Sequence, residues 1–402
     1  MRSIFRRTPM ALLNVLQFPV RTAVSAAGVT FALLLVFMQL GFLGAVSNTA
    51  TILYNQLDFD IVVRSPDYLH LYETRNFDQS WLTWCKGQTD IAEVKPFWID
   101  LMRWQNPVDH RFRAIALLSY RLDQPVFLSS KVLIDPVTGE DNSHWLHNPR
   151  NLLIDSATRK DFGPKNGKRY TIADVGTEVM LNNQRVRIAG LTEIGTGLAT
   201  NGQALISQNG FAKSVAWNAH KKVSLGLVRL RPGADPDAVV RRLNTLIKGN
   251  TSGSGMVEFV TRKDAIAIET RRWIRETPIG IIFQMGVLLA LMVGTTVVYQ
   301  VLATDIANRM PEYATLKAMG YSPFFLSKIV LTQALYLAIL SFLPAWLLAE
   351  ALYRITTRAA GVQITMTYER IVFVAAAGIL ICFLSGIVAL RKLQRAEPAS
   401  LF

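Results

Sequence analysis

The feature that most constrains this chain is a set of four long segments without a charged residue. They run from Thr22 to Leu57, from Thr277 to Thr304, from Ile329 to Ala349 and from Ile371 to Leu390. A helix needs about 20 apolar residues to cross a bilayer, and each segment reaches that length. The sequence therefore predicts four transmembrane helices. The first segment is also longer than the hydrophobic region of a cleaved signal peptide.

The four predicted spans are unevenly spaced, because one precedes a long polar segment and three follow it closely. This polar segment carries signals of both strands and helices, which predict an inserted α+β domain. Strands are predicted at Asp58–Arg64, Phe112–Tyr120, Lys222–Gly233 and Gly255–Arg262, and a hairpin at Thr177–Gly190 with its turn at Asn182 and Asn183.

Two helices are predicted near the end of the inserted domain. One covers Asp235–Lys248, with Asp235 as its N-cap, Pro236 at its first position and an apolar stripe of Val239, Leu243 and Leu246. The other begins at Lys263 and runs into the second span. Since the first uncharged segment exceeds the length of a span, both connections are expected to form helical stalks.

The predicted fold is thus a four-span α-helical membrane protein with a large inserted α+β domain on helical stalks. The N-terminus carries a helix signal of its own, with Thr8 as N-cap and Leu12, Leu13 and Leu16 on one face, and it is expected to lie on the membrane surface.

The predicted boundaries follow the order of these segments along the chain. They are 1–21 for the amphipathic helix, 22–57 for the first span and stalk, 58–262 for the inserted domain, 263–304 for the second stalk and span, 305–325 for a loop, 326–349 for the third span, 350–370 for a short loop, 371–390 for the fourth span and 391–402 for the tail.

The charge distribution gives an orientation and argues against nucleic acid as a partner. The net charge is +14, but much of the surplus lies beside the predicted spans, where lysine and arginine mark the inner side. Basic residues precede the first and third spans and follow the fourth span, in the segments that lie on the same side of the membrane as the two termini. The sequence therefore predicts both termini inside and the large domain outside.

No catalytic or metal-binding constellation emerges from the sequence. The stretch Gly163–Arg169 departs from the spacing of a phosphate-binding P-loop, and Gly195–Gly202 departs from a dinucleotide-binding loop. His144 and His147 are too few ligands for zinc. We expect a non-enzymatic chain without cofactor or metal. The uncharged spans also argue against a carrier driven by protons or ions.

The loop between the second and third spans, Arg309–Tyr321, has the signals of a short capped helix. Pro311 suits the first helical position, Glu312 and Lys317 complement the helix dipole, and Gly320 suits the residue after the helix. A helix of about nine residues is not stable alone and needs a surface to pack on. It is either an ordinary connector or a helix that docks on another protein; its candidate contact residues are Pro311, Glu312, Tyr313, Thr315, Leu316, Lys317, Met319 and Gly320.

Four stretches resemble the FtsX-like permeases of ABC transporters, in particular the DevC family. They are FALLLVFMQLGFLGAV in the first span, VRIAGLTEIGTGLATNGQALIS in the inserted domain, ATDIANRMPEYATLKAMGYS after the second span, and the tail RKLQRAEPASLF. The order of the spans and the domain also agrees with this family. Residues 65–150 contribute little to the resemblance.

This resemblance implies an architecture shared with the MacB-type permeases of macrolide exporters. It implies a homodimer in the inner membrane, with cytoplasmic termini and a periplasmic domain, bound to a separate DevA-like ATPase through the coupling helix 311–319. A DevB-like membrane-fusion protein and a TolC-like outer-membrane channel would carry a lipid-like cargo such as a glycolipid, with membrane lipid as a further partner. The alternative is an FtsX-type signal transducer that activates a cell-wall hydrolase and exports nothing.

Overall fold

The computed structural model describes residues 19–250, 257–312, 315, 319–360 and 364–394. The predicted surface helix at the N-terminus and the end of the predicted tail lie outside these residues. The chain divides into two compact units. We call the segments Met1–Val46 and Thr277–Phe402 the membrane unit and Ser47–Glu276 the inserted unit.

The α-helices and strands of the described residues alternate irregularly along the chain. The helices are α1 (Pro19–Ala50), α2 (Ile52–Gln56), α3 (Ser80–Lys86), α4 (Gln208–Ser214), α5 (Pro236–Asn250), α6 (Arg262–Arg271), α7 (Pro278–Asn308), α8 (Pro323–Ala360) and α9 (Tyr368–Gln394). The strands are β1 (Ile61–Arg64), β2 (Phe77–Asp78), β3 (Ile91–Gln105), β4 (Phe112–Tyr120), β5 (Asn151–Asp155), β6 (Glu178–Leu181), β7 (Gln184–Thr192), β8 (Gln203–Ser207), β9 (Lys222–Val223), β10 (Leu225–Leu230) and β11 (Glu258–Thr261).

Four helices of the membrane unit, α1, α7, α8 and α9, are long and apolar enough to cross a membrane, as predicted. Their shared core contains aliphatic residues together with many alanines. Glycines allow close approach between helices: Gly28 faces Val301 of α7, and Gly41 faces the ring of Tyr353 in α8. The four spans therefore form a bundle that is held together by small residues.

The inserted unit is built on one curled sheet with the strand order β11-β1-β10-β3-β4-β8-β5-β7-β6. Because β3 also pairs with β6, the six strands from β3 to β6 close on themselves. The remaining strands, β11, β1 and β10, form the open part of the sheet. The long strand β3 belongs to both parts, since Ile91–Phe97 pairs with β10 and Phe97–Gln105 pairs with β4. Successive residues of β3 point to opposite faces, so Trp98 and Trp104 enter one core and Phe97 and Ile99 the other.

Each predicted strand segment contains a strand, although Lys222–Gly233 divides into β9 and β10, and residues 255 and 256 of the last segment lie outside the described residues. The hairpin of β6 and β7 is confirmed, and Asn182 in its turn has a φ of 52°. Helix α5 is also confirmed, and Asp235 accepts hydrogen bonds from the amides of residues 237 and 238. Its predicted stripe was wrong in one residue: Leu246 is 43% exposed, and Ile247 is buried in its place. Residues 239, 243 and 247 are spaced by four and lie on one face of the helix, whereas residue 246 lies to the side of that face.

The helix predicted to run from Lys263 into the second span is interrupted. Helix α6 ends at Arg271, a π-helical turn follows at Arg272–Glu276, and α7 begins at Pro278. Thr277 before this proline has an extended backbone, and its hydroxyl accepts a hydrogen bond from the amide of Gly280. A proline disfavours helical backbone in the residue that precedes it, so the sequence itself carries the reason for the break.

Candidate functional site

The segment after the second span continues in helical hydrogen bonding and closes at a glycine. Helix α7 ends at Asn308, and Pro311 and Glu312 begin a new helical turn. The Thr315 hydroxyl donates to the Pro311 carbonyl at 2.9 Å, and the Met319 amide donates to the Thr315 carbonyl at 3.0 Å. Gly320 has a φ of +89°, which favours glycine after a helix. The candidate residues Tyr313, Leu316 and Lys317 lie outside the described residues.

The described part of this segment presents both polar and apolar groups to its surroundings. Pro311, Glu312, Thr315 and Gly320 are exposed, and Met319 is 62% exposed. Two aromatic side chains that follow, those of Tyr321 and Phe324, are exposed as well. We call Glu312, Thr315, Met319, Tyr321 and Phe324 the loop surface. Exposed apolar side chains beside charged ones are typical of a surface that binds another protein.

The loop surface is anchored by a buried arginine at the end of the second span. Arg309 has only 2% of its side chain exposed, and its Nε lies 3.4 Å from Asp305 Oδ1. The Asp305 Oδ2 atom accepts a hydrogen bond of 2.5 Å from Gln333 Nε2 in α8. A second guanidinium nitrogen of Arg309 lies 3.8 Å from Glu312 Oε2. This chain of contacts joins the second and third spans to the loop surface.

A cleft lies beside this anchor, between α1 and α7. Its volume is about 370 Å³, and it is lined by Val24, Ser25, Gln300, Val301, Thr304, Asp305 and Asn308. Asp305 thus contacts the cleft on one side and Gln333 on the other. Asp305 therefore connects α7 with α8 and lines a cleft that residues of α1 also line.

The anchor was not predicted from the sequence. The uncharged segment ends at Thr304, but α7 continues for one more turn, which contains the largely buried Asp305 and leads to the buried Arg309 directly after the helix. The spacing of these residues by four, which places them on one helical face, is the signal that could have identified the pair. Gln333 carried no such signal, because only the tertiary structure brings it to Asp305.

Comparisons with known proteins assign the chain to a family. Residues 22–246, more than half of the chain, match the model of the MacB-like periplasmic core domain. Residues 285–398 match that of the FtsX-like permease C-terminal. The chain therefore belongs to the FtsX-like, MacB-type permeases of ABC transporters. It is an inner-membrane protein with a periplasmic domain, of a family whose permease subunits are in general not catalytic. No curated protein sequence matches the chain.

Solved structures similar to the chain cover about half of it at low overall scores. The periplasmic region of MacB from Actinobacillus actinomycetemcomitans is 10% identical, with a TM-score of 0.34, and the match covers 52% of this chain and 91% of that one. The extracellular domain of the ABC-type transporter YknZ from Gram-positive bacteria is 13% identical, with a TM-score of 0.35, covering 51% and 100%. The family assignment rests on the two family models and not on these structures.

Proposed function

We propose that this chain is the permease subunit of a tripartite ABC exporter and that it transmits ATP-driven motion to its periplasmic domain. A separate, DevA-like ATPase would bind the loop surface in the cytoplasm, where both termini would also lie. In a homodimer, the periplasmic domains would drive a lipid-like or other hydrophobic cargo into a DevB-like membrane-fusion protein and a TolC-like channel. The helix 311–319 would be the coupling helix.

The observation that carries the proposal is the connection between an exposed surface and a buried anchor. A partner that binds Glu312 or Met319 contacts a segment whose first residues are bonded to Arg309, and through Arg309 to two spans. An ordinary connector between spans needs neither an exposed apolar surface nor a buried guanidinium at its start, because both cost free energy. A docking helix would use the exposed surface to bind its partner and the buried anchor to pass the motion to the spans.

The test is to replace Met319 by aspartate in the full chain, purified in detergent with its ATPase. Burying a carboxylate in an apolar contact is unfavourable, so Met319→Asp should abolish co-purification or ATP hydrolysis stimulated by the permease. The matched control is Val137→Asp, since Val137 is 69% exposed in the periplasmic domain. It should change neither property.

Unchanged co-purification and unchanged stimulated hydrolysis in Met319→Asp would refute the docking assignment. The same complex also distinguishes export from the signalling alternative. A permease that exports should pull down a membrane-fusion protein from its host, whereas a transducer should pull down a cell-wall hydrolase. Hydrolase turnover by the isolated chain would contradict both.

A further inference from the structure

The two connections to the membrane spans are joined to each other inside the inserted unit. The first stalk comprises the end of α1 from Ser47 and helix α2. The second stalk comprises α6 and the π-helical turn Arg272–Glu276. Three sets of contacts connect these stalks, and all of them lie within the inserted unit.

The upper contact is made by the first residue of α6. The Arg262 guanidinium donates to the carbonyl oxygens of Tyr54 and Asn55, both at 3.3 Å. These carbonyls belong to the last turn of α2, where a cation complements the helix dipole. The same guanidinium lies over the ring of Phe59 at 5.4 Å.

A buried carboxylate near the end of α6 makes a further contact, which joins three segments. Glu269 of α6 is 1% exposed. Its Oε2 accepts a hydrogen bond of 2.7 Å from the Tyr68 hydroxyl, and its Oε1 accepts from the Leu71 amide at 3.2 Å and from Trp273 Nε1 at 3.0 Å. Tyr68 lies 3.0 Å from the hydroxyl of Tyr54 in α2.

The protons of this network can be assigned by counting donors. Tyr68 uses its only hydroxyl hydrogen toward Glu269, so Tyr54 donates to Tyr68. Burial raises the pKa of both tyrosines strongly, which keeps them neutral and able to donate. The network therefore runs in one direction, from Tyr54 through Tyr68 to Glu269.

The lower contact joins the two stalks next to the membrane-spanning segments. The Ser47 and Thr270 hydroxyls lie 3.5 Å apart. Residues 262 and 270 differ by eight positions, as do residues 55 and 47, so the contacts run along two antiparallel stalks for about 12 Å at 1.5 Å per residue. The network of Glu269, Tyr68 and Tyr54 connects the end of α6 near Thr270 with the end of α2 near Asn55.

The joined stalks are also bonded to the closed part of the sheet. Gln56 Nε2 donates to the Ile194 carbonyl at 3.2 Å, and the Ile194 amide donates to the buried Asp155 at the end of β5 at 2.8 Å. Tyr72, which follows the Leu71 bound by Glu269, donates to Gln203 of β8 at 3.2 Å. Both connections end on strands of the closed ring.

We propose that Glu269 is a positioning residue that locks the two stalks and the periplasmic domain into one body, so that motion of the spans reaches the domain. Here we call Glu269, Tyr68 and Tyr54 the stalk clamp. This inference rests on the proposed function, because it assigns the path by which ATP-driven motion is transmitted. It also predicts that hydrogen bonding, and not charge, is what Glu269 contributes.

The test uses the full permease with its ATPase in lipid nanodiscs, with Cys85 and Cys382 replaced by alanine. An environment-sensitive fluorophore at residue 137 reports the nucleotide-dependent change in the periplasmic domain. Spin labels at the exposed residues Asn48 and Ala267 report the distance between the stalks. Stimulated ATP hydrolysis is measured on the same samples.

Glu269→Ala should broaden the distribution of distances between the spin labels on the two stalks. It should also remove most of the nucleotide-dependent fluorescence change at residue 137, while stimulated ATP hydrolysis persists. Tyr68→Phe, which deletes one hydroxyl, should act in the same direction and carries the test if Glu269→Ala does not fold. Glu269→Gln should resemble the wild type, because its amide can donate to Tyr68, which then donates to Tyr54. The matched control is Glu276→Ala, since Glu276 is exposed and lies 4.0 Å from Arg272.

The outcomes separate the clamp from the proposed function. If the wild type shows no stimulated hydrolysis and no signal at residue 137, the proposed function fails. If the wild type responds and Tyr68→Phe or Glu269→Ala responds equally, the clamp is refuted. A loss in Glu269→Gln equal to that in Glu269→Ala would refute the role assigned to hydrogen bonding.

Discussion

The anchor in the membrane unit and two buried carboxylates in the inserted unit, those of Asp155 and Glu269, hold their charges in opposite ways. At the anchor, the buried Arg309 lies 3.4 Å from Asp305, whose side chain is largely buried. In the inserted unit, the hydrogen bonds to Asp155 and Glu269 come from backbone amides and from neutral side chains. A buried pair recovers part of its desolvation cost through mutual attraction. A buried carboxylate with neutral partners keeps that cost, which then raises its pKa.

The largest expected effect is the loss of one partner of the pair. Arg309→Met leaves the largely buried Asp305 carboxylate without its cation, and such a change destabilises a protein by about 3 kcal/mol or more. Glu269→Gln neutralises a carboxylate whose hydrogen bonds come from neutral groups and whose charged form is favoured less by Arg64 than by those groups, so this change should cost much less. Unfolding of the detergent-purified chain in sodium dodecyl sulfate, followed by circular dichroism, compares the two variants.

The control for Arg309 is Arg354→Met, because Arg354 is exposed and pairs with Glu350 within one helix. An exposed pair of this kind contributes only about 0–1 kcal/mol. The double variant Asp305→Asn, Arg309→Met should recover part of the lost stability, since no charge is then left uncompensated. If Glu269→Gln destabilises the chain as much as Arg309→Met does, the two sites do not differ in the way described.

The second prediction concerns pH and sharpens the comparison for Asp155. Burial raises the pKa of Asp155 to about 6, even though the amides of residues 157, 194 and 195 donate to its carboxylate. In the unfolded chain the pKa lies near 3.9. Between these values the folded chain binds more protons, so its stability should fall as pH rises from about 4 to about 6.5. The full difference is about 3 kcal/mol for two pKa units.

The measurement is a urea or detergent unfolding series across this range, with Asp155→Asn as the variant that cannot titrate. Burial also raises the pKa of Glu269, which adds to the wild-type slope with the same sign. Asp155→Asn should therefore reduce the slope, and the double variant with Glu269→Gln should reduce it further. A wild-type stability that rises with pH in this window would show that the two carboxylates are stabilised in their charged forms.

Much of the fold could be predicted, and the parts that could not have physical reasons. The four spans and the hairpin of β6 and β7 follow from local pattern and turn chemistry. Strand β3 was missed because Lys95, Pro96 and Asp100 interrupt its apolar pattern. These residues lie where β3 passes from the open part of the sheet, paired with β10, to the closed part, paired with β4.

The candidate site shows a similar division. The turn residues of the segment 311–320, Pro311 and Gly320, could be identified because they act through their own backbone. The contact of Asp305 with Gln333 and the stalk clamp could not, because Gln333 lies 28 residues from Asp305 and Tyr68 lies 201 residues from Glu269 along the chain. No local pattern predicts such a contact. The contact roles of the eight predicted site residues stay predictions.

The smallest expected effect tests how the membrane unit packs without buried charge. A Cβ atom at Gly41 would lie 2.6 Å from the Tyr353 hydroxyl oxygen, and Tyr353 is buried and donates to the Phe37 carbonyl. The ring has no room to move, so Gly41→Ala should destabilise the bundle by about 1–3 kcal/mol. Gly294→Ala is the matched control, because its Cβ would make an ordinary contact of 3.5 Å with Ala32. Alanine favours helix more than glycine does, so Gly294→Ala should leave the midpoint of thermal unfolding unchanged or raise it. Equal losses of stability in both variants would show that small residues in general, and not the Tyr353 contact, set the spacing between the helices.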